Sequence, residues 1–234
     1  MSKCLICESK TSSLTDSHIK NSFVYVIYHV CQSCGFTFKD SRFRVDPLKE
    51  KEQYDFHDNS FENPGYVEMF KRFIAAAIDP FITTGKVLEF GSGPGPVLGT
   101  LLKEKGFDVS LYDPFYEPNE AVFKEQYDLI TSTEVFEHFF EPLKTLETLL
   151  KSLKKNGFLA VMTSFRVMSD EAFLTWWYRR DSTHVSFYTL EAFEEIEKRF
   201  NLERLYTNEK NYIVFKFFNY MFSKVFLKFF EASL

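Results

Sequence analysis

Apolar residues along the chain follow two spacings, one typical of β-strands and one typical of α-helices. Short apolar or alternating runs predict strands at 87–90, 107–113, 127–131 and 158–162. Apolar residues three and four positions apart predict helices over 67–78, 97–105, 142–153 and 190–200. Strands that alternate with helices form parallel sheets. The pattern therefore predicts an α/β fold built on a parallel sheet.

The end of this region departs from the alternation. Residues 202–207 and 212–218 are predicted strands joined by a short polar turn, which indicates a closing antiparallel hairpin. A second departure follows Asp113, because the 13 residues before Tyr127 are too few for a full crossover helix and another strand. Either the third strand–helix unit of the sheet is much reduced, or Ala121–Phe123 forms a remnant strand.

Two cysteine pairs stand at the start of the chain, before the predicted sheet. Cys4 and Cys7 form one Cys-x-x-Cys motif, and Cys31 and Cys34 form another after 23 intervening residues. This arrangement resembles a zinc ribbon, in which four thiolates complete a tetrahedral structural site. A redox pair and incidental thiols are the alternatives, and two histidines between the motifs are competing ligands. Since so short a module buries little core, we expect structural Zn²⁺ to decide whether it folds.

These features divide the chain into four predicted parts. The zinc ribbon covers residues 1–45, a polar connecting segment with a helix covers 46–84, and the sheet-forming core covers 85–218. The amphipathic tail, 219–234, carries apolar residues at helical spacing and two lysines. We expect it to dock on its own domain, on a second subunit as a homodimer contact, or on a membrane surface, in that order.

Composition narrows the choice of partners and compartment. A net charge of −5 and a pI near 5.6 argue against a general nucleic-acid binder. Residues 1–45, with six Lys/Arg against three acids, are the basic part. No apolar run reaches the roughly 18 residues needed to span a membrane, and no secretory signal core is evident. Because the cysteines are paired for metal rather than for disulfides, we expect a cytoplasmic protein.

Three glycines spaced two apart, Gly91, Gly93 and Gly95, follow the first predicted strand and precede a helix. Glycine lets the backbone turn and lets a ligand approach closely. The loop lacks the Gly-x-Gly-x-x-Gly of dinucleotide sites and the Gly-Lys-Ser/Thr of phosphate loops. Two prolines in it also remove N–H donors that would hold a phosphate. We therefore predict an uncharged or zwitterionic ligand, with Glu89 able to hold an ammonium group.

An acid at the end of the next strand, Asp113, lies 18 residues after the last glycine, near the spacing at which a carboxylate meets ribose hydroxyls. Glu-x-Gly-x-Gly-x-Gly followed by such an acid resembles the class I S-adenosylmethionine-dependent methyltransferases, which have a Rossmann-like fold. Residues 134–142 resemble the Glu-x-x-Glu-His-x-x-x-Pro segment of a small-molecule subfamily. The usual acid that contacts the adenine amine has no clear counterpart.

The resemblance implies where the cofactor binds. The glycine loop would hold the methionyl end, Asp113 the ribose, and Thr133 with Glu134 the wall beside the methyl group. His138 is either a base or a residue that holds its loop in place, and the second role is preferred. The implied cofactor-binding residues are Glu89, Gly91, Ser92, Gly93, Gly95, Asp113, Pro114, Thr133, Glu134 and His138.

A dense polar and aromatic cluster, 176–188, ends in a segment that resembles the Asp-x-Thr-His-Val-x-Phe-Tyr stretch of the same subfamily. His184 is the first candidate for a general base or substrate-orienting residue, because imidazole titrates near neutral pH. Asp181 and Tyr188 complete the predicted catalytic set. The alternative is that Asp181 and His184 mainly fix the loop by hydrogen bonds. Two arginines, at 179 and 180, either grip an anionic substrate or form ordinary salt bridges.

The resemblance implies an enzyme that transfers a methyl group from S-adenosylmethionine to a small or medium organic acceptor, such as a sugar or another metabolite, and releases S-adenosylhomocysteine. Such an in-line displacement depends mostly on positioning, so the acceptor atom stays open. One alternative is an RNA base methyltransferase that binds RNA with its basic ribbon, although the net negative charge of the whole chain argues against this. The other is a non-catalytic protein that binds the cofactor and serves as a scaffold.

Overall fold

The computed structural model describes residues 2–16, 25–55 and 60–218, and of Pro47 only the backbone. The predicted tail, 219–234, lies outside the described residues, so its docking and the homodimer stay predictions. The described part forms two sheets and six α-helices. Within it, no helix has both the length and the apolar character needed to cross a membrane.

The strands, in chain order, are β1 (Thr11–Asp16), β2 (Val26–Cys31), β3 (Thr37–Lys39), β4 (Lys86–Phe90), β5 (Asp108–Tyr112), β6 (Tyr127–Thr133), β7 (Leu153–Met162), β8 (Ser186–Phe187), β9 (Leu202–Thr207) and β10 (Tyr212–Phe217). The helices are α1 (Pro47–Asp55), α2 (Pro64–Ala77), α3 (Val97–Glu104), α4 (Pro142–Lys151), α5 (Asp170–Thr175) and α6 (Leu190–Phe200). Short 3₁₀ turns occupy Ser41–Phe43, Glu120–Lys124, Phe136–His138 and Tyr178–Arg180.

The larger sheet has the strand order β5-β4-β6-β7-β10-β9. Its first four strands are parallel, and β10 and β9 close it as an antiparallel hairpin. The chain leaves β4 in one direction to β5 and returns on its other side in β6. This reversal creates a crevice at the carboxyl ends of the strands, the usual ligand site of such sheets. The predicted Rossmann-like α/β fold with a closing hairpin is confirmed.

Helices cover both faces of this sheet, because neighbouring residues of each strand point in opposite directions. In β4, Val87 packs in the cluster that contains α2 and α3, whereas Leu88 packs in the cluster that contains α4 and α6. Thr189 begins α6 by accepting a hydrogen bond from the N–H of Ala192 at 3.0 Å, as its sequence position predicts. The sheet is thus the rigid centre from which the strand ends project.

One predicted boundary is wrong, and one choice between two alternatives is decided by the structure. The helix predicted over 142–153 ends at Lys151, because Leu153 already pairs with Tyr127 as the first residue of β7. The remnant strand at Ala121–Phe123 is a 3₁₀ turn, so the third unit is reduced rather than a short strand. Buried Val122 anchors this turn in the core, and the chain reaches β6 without another crossover.

The smaller sheet joins the cysteine-containing segment to the core. Its order is β1-β2-β3-β8, with antiparallel pairing throughout. β8 belongs to the polar and aromatic cluster far along the chain, and Thr37 pairs there with Phe187. Phe36 and Phe38 also pack in the same apolar cluster as Phe193 of α6. The ribbon strands therefore share a core with the larger sheet.

Candidate active-site cleft

A cleft of about 1140 Å³ opens at the carboxyl ends of β4, β5 and β6. All predicted cofactor residues except Gly95 line it, together with the predicted catalytic residues Asp181 and His184. The structure does not bring Tyr188 to the cleft. Its side chain is fully buried, and its hydroxyl donates to the carbonyl of Phe136 at 3.2 Å. Residues separated widely in sequence thus meet at the predicted edge of the sheet.

The glycine loop makes its turn with two residues in the left-handed region, Gly91 at φ 82° and Gly93 at φ 62°. A Cβ on Gly91 would overlap the side chain of Val135, so packing within the protein also requires this glycine. A Cβ on Gly93 would meet no described atom within 4 Å. Gly93 therefore presents open backbone to the cleft. Gly95 stands behind it, and its carbonyl accepts from Val97 at the start of α3.

Asp113 ties this loop to the end of β5. Its Oδ2 accepts a hydrogen bond from the N–H of Gly93 at 2.9 Å, and its Oδ1 accepts from the N–H groups of Phe115 and Tyr116 at 2.8 and 3.1 Å. Pro114 lies between these partners and also lines the cleft. A carboxylate oxygen can accept more than one hydrogen bond. The observed bonds therefore leave acceptor capacity for the predicted contact with ribose.

Glu89 is a buried carboxyl group at the inner wall of the cleft. Its Oε2 has no hydrogen-bond partner among the described residues. Burial raises the pKa of Glu89 to about 8, because a charge is costly away from water. Gly99 of α3 is close beside it, and a Cβ there would overlap Oε2. The sequence thus leaves room for this carboxyl group and supplies no cation to pair with it in the described structure.

Glu134, directly after β6, has an unusual backbone conformation for a residue with a side chain, with φ 55°. Its N–H donates to the carbonyl of Met162 at 2.7 Å, and its Oε2 accepts from the hydroxyl of Tyr178 at 3.2 Å. Burial and the nearby carboxylate of Glu137 raise the pKa of Glu134. Strained residues persist where the surroundings hold them, often at functional sites. Glu134 and Thr133 both line the cleft, and their role as the wall beside the methyl group stays a prediction.

Glu137 lies beside the two cleft histidines, and the sequence motif at 134–142 does not indicate a role for it. Its Oε2 accepts a hydrogen bond from the hydroxyl of Thr163 at 2.8 Å, whereas its buried Oε1 has no partner among the described residues. Oε1 faces the Nε2 atoms of His138 and His184 at 3.8 and 4.0 Å. The Glu-His pair in the motif was the signal that could have indicated it.

Backbone carbonyls orient both histidines. Nδ1 of His138 lies 3.2 Å from the carbonyl of Thr183, and Nδ1 of His184 lies 2.7 Å from that of Tyr178. Burial lowers the pKa of His138 to about 4, so its ring is neutral near pH 7. The two rings meet edge to face with their centroids 4.8 Å apart. Both imidazoles are therefore fixed side by side in the cleft.

The loop that carries His184 is braced from several directions. Burial alone would raise the pKa of Asp181. Hydrogen bonds from the hydroxyl and N–H of Thr183 nevertheless hold this pKa below its usual value. The ammonium group of Lys39 donates to the carbonyl of Ser182 at 2.7 Å. The N–H of Val185 donates to the carbonyl of Glu137 at 2.8 Å. Asp181 and His184 thus stand on a loop held by both sheets.

The two arginines of the cluster have different surroundings. Arg179 forms a buried ion pair with Asp16 and donates to the carbonyls of Phe173 and Leu174, away from the cleft lining. Arg180 lines the cleft.

Among the described lining residues, eight carboxyl groups face only two Lys or Arg side chains. The pKa values of Glu50, Glu89 and Glu134 are raised, mainly by burial, but the other five carboxyl groups still outnumber these two cations. The lining therefore suits a cationic ligand better than a polyanion.

Aromatic residues that the sequence did not single out form the outer walls. Tyr112 stacks on Phe90 with centroids 5.3 Å apart, and Phe123 meets Tyr112 edge to face at 4.7 Å. On the other side, Tyr54 and Tyr66 of the connecting segment line the cleft. The aromatic faces offer stacking surfaces for a planar ligand.

The four cysteines converge in the ribbon. Sγ of Cys7 lies 3.4 Å from that of Cys31 and 3.6 Å from that of Cys34, and Cys4 and Cys34 are 3.8 Å apart. Four sulfurs around zinc at about 2.3 Å are spaced about 3.8 Å apart. Three backbone N–H groups of the knuckles point at the sulfurs of Cys4 and Cys31, each at 3.4 Å. This donor set fits a tetrahedral metal.

The fold and the glycine-turn cleft define a Rossmann-like methyltransferase. Residues 65–207 match a family model described as a methyltransferase domain, and the chain belongs to this family. The predicted enzyme class, an S-adenosylmethionine-dependent methyltransferase, is thereby confirmed. No curated protein matches the chain.

Solved structures share the fold at low identity. One is the 1,6-didemethyltoxoflavin-N1-methyltransferase of Burkholderia thailandensis with bound 1,6-didemethyltoxoflavin and S-adenosylhomocysteine. It is 10% identical, with a TM-score of 0.52, over 90% of this chain and 100% of that one. Another is an O-methyltransferase family protein from Burkholderia thailandensis, which is 12% identical, with a TM-score of 0.48, over 76% of this chain and 62% of that one.

Proposed function

We propose that the enzyme transfers the methyl group to a small or medium organic acceptor that binds beside the cofactor in the cleft. The size of the cleft carries this proposal. Its volume of about 1140 Å³ exceeds the roughly 300–1,000 Å³ typical of sites for a single ligand. The space therefore suits two ligands side by side. The similar structure that contains 1,6-didemethyltoxoflavin and S-adenosylhomocysteine together supports the same arrangement.

The cleft residues fit S-adenosylmethionine in charge and shape. The unpartnered Oε2 of Glu89 would accept from the ammonium group, and the open backbone at Gly93 would accommodate the methionyl end. Asp113 would accept from the ribose hydroxyls, and the aromatic wall at Tyr112 and Phe123 would stack on the adenine. When bound, the cofactor would supply a sulfonium methyl group, which an aligned nucleophile attacks while the sulfur leaves as the thioether of S-adenosylhomocysteine. The acidic lining favours this cation over a phosphate chain.

His184 is the proposed general base or orienting residue for the acceptor. Its Nδ1 donates to the carbonyl of Tyr178, so in the neutral ring Nε2 carries the lone pair. A hydroxyl or an acidic carbon needs such a base, whereas a neutral amine can react without one. Asp181 lies 4.0 Å from that Nε2 and would favour a positive imidazole. Glu134 and Thr133 would line the path of the methyl group.

RNA is disfavoured as the acceptor by the same electrostatics. Proteins hold a nucleic-acid backbone mainly with Lys and Arg side chains. Here eight carboxyl groups and two such side chains line the described part of the cleft. The basic residues of the ribbon include Arg42, which pairs with Asp40, and Lys39, which is buried against the catalytic loop. These contacts use them within the protein.

We also propose that the four cysteines hold a structural zinc ion. The sulfur spacing and the N–H groups directed at the sulfurs support this, and the cysteines form no disulfide. Four thiolates leave no open position for a reactant. The ion would fix β3, and β3 in turn pairs with β8 behind the loop of His184. Reduced thiols fit the reducing cytoplasm, which we propose as the compartment.

Methyl transfer from labelled S-adenosylmethionine to a cellular small-molecule extract and to total RNA tests the acceptor class. We expect label in the small-molecule fraction, and label only in RNA would contradict the proposal. His184→Ala should lower turnover by about a hundredfold while cofactor affinity stays nearly unchanged, because general bases contribute about 10²–10⁴-fold. Glu191→Gln, an exposed change in the first turn of α6, is the control and should retain turnover. Equal turnover in His184→Ala would restrict that residue to holding its loop.

A further inference from the structure

We propose that Glu137, His138 and His184 form a second metal site, which binds a divalent transition ion at the inner end of the cleft. One ligand atom from each residue lies within 4.8 Å of the other two. The three side chains come from the turn after β6 and from the braced loop before β8. Sequence positions nearly fifty residues apart are therefore brought to one point by the two sheets.

Hydrogen bonding fixes which imidazole nitrogens face this point. Each Nδ1 approaches a backbone carbonyl, that of Thr183 for His138 and that of Tyr178 for His184. A carbonyl can only accept, so each Nδ1 must carry a proton. In a neutral ring the lone pair is then on Nε2. Metal-binding histidines almost always donate their other N–H to a carbonyl or carboxylate in this way.

The carboxylate of Glu137 supplies the third ligand. Its Oε2 is held by the hydroxyl of Thr163, while its fully buried Oε1 has no partner among the described residues. A buried carboxylate oxygen without a partner is costly. Oε1 lies 3.8 Å from Nε2 of His138 and 4.0 Å from Nε2 of His184. These distances are too long for hydrogen bonds.

A shared cation explains this spacing. Two ligands that bind one ion at about 2.1 Å are at most about 4.2 Å apart, so both distances from Oε1 allow a common ion. The two imidazole nitrogens, within 4.8 Å of each other, would have to move closer together to share it. Small side-chain rotations would direct the three ligand atoms toward the ion. Two imidazoles and one carboxylate form a ligand set used for catalytic zinc and non-haem iron, with remaining positions open. Magnesium and calcium prefer oxygen ligands, so they fit this set less well.

The open positions would face the methyl acceptor. With the ion bound, Nε2 of His184 would be a ligand and an orienting group rather than the base, so the proton of a bound hydroxyl would pass to water. The hydroxyl oxygen would then bond to the methyl carbon and displace the sulfur as S-adenosylhomocysteine. Acceptors with a hydroxyl beside a second oxygen would bind best, because both oxygens could reach the ion. This role rests on the proposed function, whereas binding of the ion does not.

Metal content of the full chain tests the site directly. Purified protein is dialysed against Co²⁺ or Zn²⁺, and bound metal per chain is measured by mass spectrometry. We expect two ions in the wild-type chain and one in Glu137→Gln, which keeps the size of the side chain. Glu147→Gln, an exposed change on α4, is the matched control and should keep two. With Co²⁺, the thiolate charge-transfer band should persist in Glu137→Gln and show that the ribbon is folded.

The wild-type count decides the proposal without depending on any variant. One ion per wild-type chain would overturn it, and two ions in both Glu137→Gln and a second variant, His138→Gln, would do the same. Methyl transfer is measured on the same samples. Two ions without methyl transfer would count against the proposed function, and methyl transfer with one ion would count against this site alone.

Discussion

The cysteine cluster and the cleft differ in how their buried polar groups are paired. In the ribbon, four thiols face one another and backbone N–H groups point at the sulfurs. In the cleft, Glu89 and Glu137 each keep a buried carboxylate oxygen without a partner in the described structure. Buried polar groups are normally paired, so an unpaired carboxyl oxygen in the lining of a cleft is consistent with a ligand site. In our proposal, the cysteine cluster closes around an ion, whereas the cleft receives the cofactor and the acceptor.

The cysteine segment also supports the cleft. Phe187 of β8 pairs with Thr37 of the ribbon, and its ring lies near Tyr28 of β2 with centroids 6.0 Å apart. Asp16, at the end of β1, forms a buried ion pair with Arg179, just before the loop of His184. These contacts connect the cysteine module to the residues that we propose face the acceptor. The difference between the regions is thus a division between support and chemistry.

Cys31→Ser should have the largest effect, because it should disrupt both the cysteine segment and the cleft that this segment supports. Zinc contributes on the order of 10–16 kcal/mol in small modules, so loss of a thiolate should unfold the ribbon strands and release β8. We expect the melting temperature to fall by about 10 °C or more, measured by calorimetry. Methyl transfer should fall by about a hundredfold or more, because misplaced catalytic groups cost about that much. Ser33→Ala, an exposed change in the same knuckle, should alter neither. Normal turnover in Cys31→Ser would show that the regions are independent.

Glu89 should make cofactor affinity depend on pH. Its pKa is raised to about 8 by burial, and α-amino groups titrate at about 7.7–8.0. In an ion pair between Glu89 and the cofactor, the carboxyl group is deprotonated and the α-amino group is protonated. The two groups together therefore hold one proton. Binding therefore releases a proton below pH 8 and takes one up above it. Affinity should peak near pH 8 and fall toward about tenfold per pH unit on the acid side.

Calorimetric titrations from pH 6 to 9 would measure this dependence. In Glu89→Gln the loss of affinity on the acid side should disappear, since no carboxyl group remains to be deprotonated. The exposed Glu104→Gln on α3 should keep the wild-type profile. An acid-side loss that persists in Glu89→Gln would assign the pH dependence to another group.

Lys39→Met should have the smallest effect and sharpen the comparison. The ammonium group of Lys39 donates to Ser182 in the loop of His184, and burial lowers its pKa to about 8. Methionine keeps the apolar stem and removes the donor, so we expect kcat to fall about threefold to tenfold. Metal content and cofactor affinity should stay at wild-type values. Lys10→Met, at an exposed position of the ribbon, is the control. An unchanged kcat would mean that the loop needs no such contact.

Local patterns predicted the larger sheet because each strand and its helix are encoded by nearby residues. The pairing of Thr37 with Phe187 joins distant segments through a two-residue strand, which no periodicity could indicate. Tyr188 shares a sequence cluster with His184, yet it lies in the core against Phe36. The inward position of Glu137 depends on the 3₁₀ turn at Phe136–His138. Which side of a loop faces a cleft is set by tertiary packing.

Calorimetric titration of S-adenosylmethionine into the wild-type chain and Asp113→Ala tests most directly whether the glycine loop and its carboxylate form the cofactor site. Asp113 both holds Gly93 and faces the cleft. We predict one cofactor per wild-type chain and an affinity at least about tenfold lower in Asp113→Ala, a change of about 1.4 kcal/mol. No binding to the wild-type chain, or equal affinity in both proteins, would contradict the account.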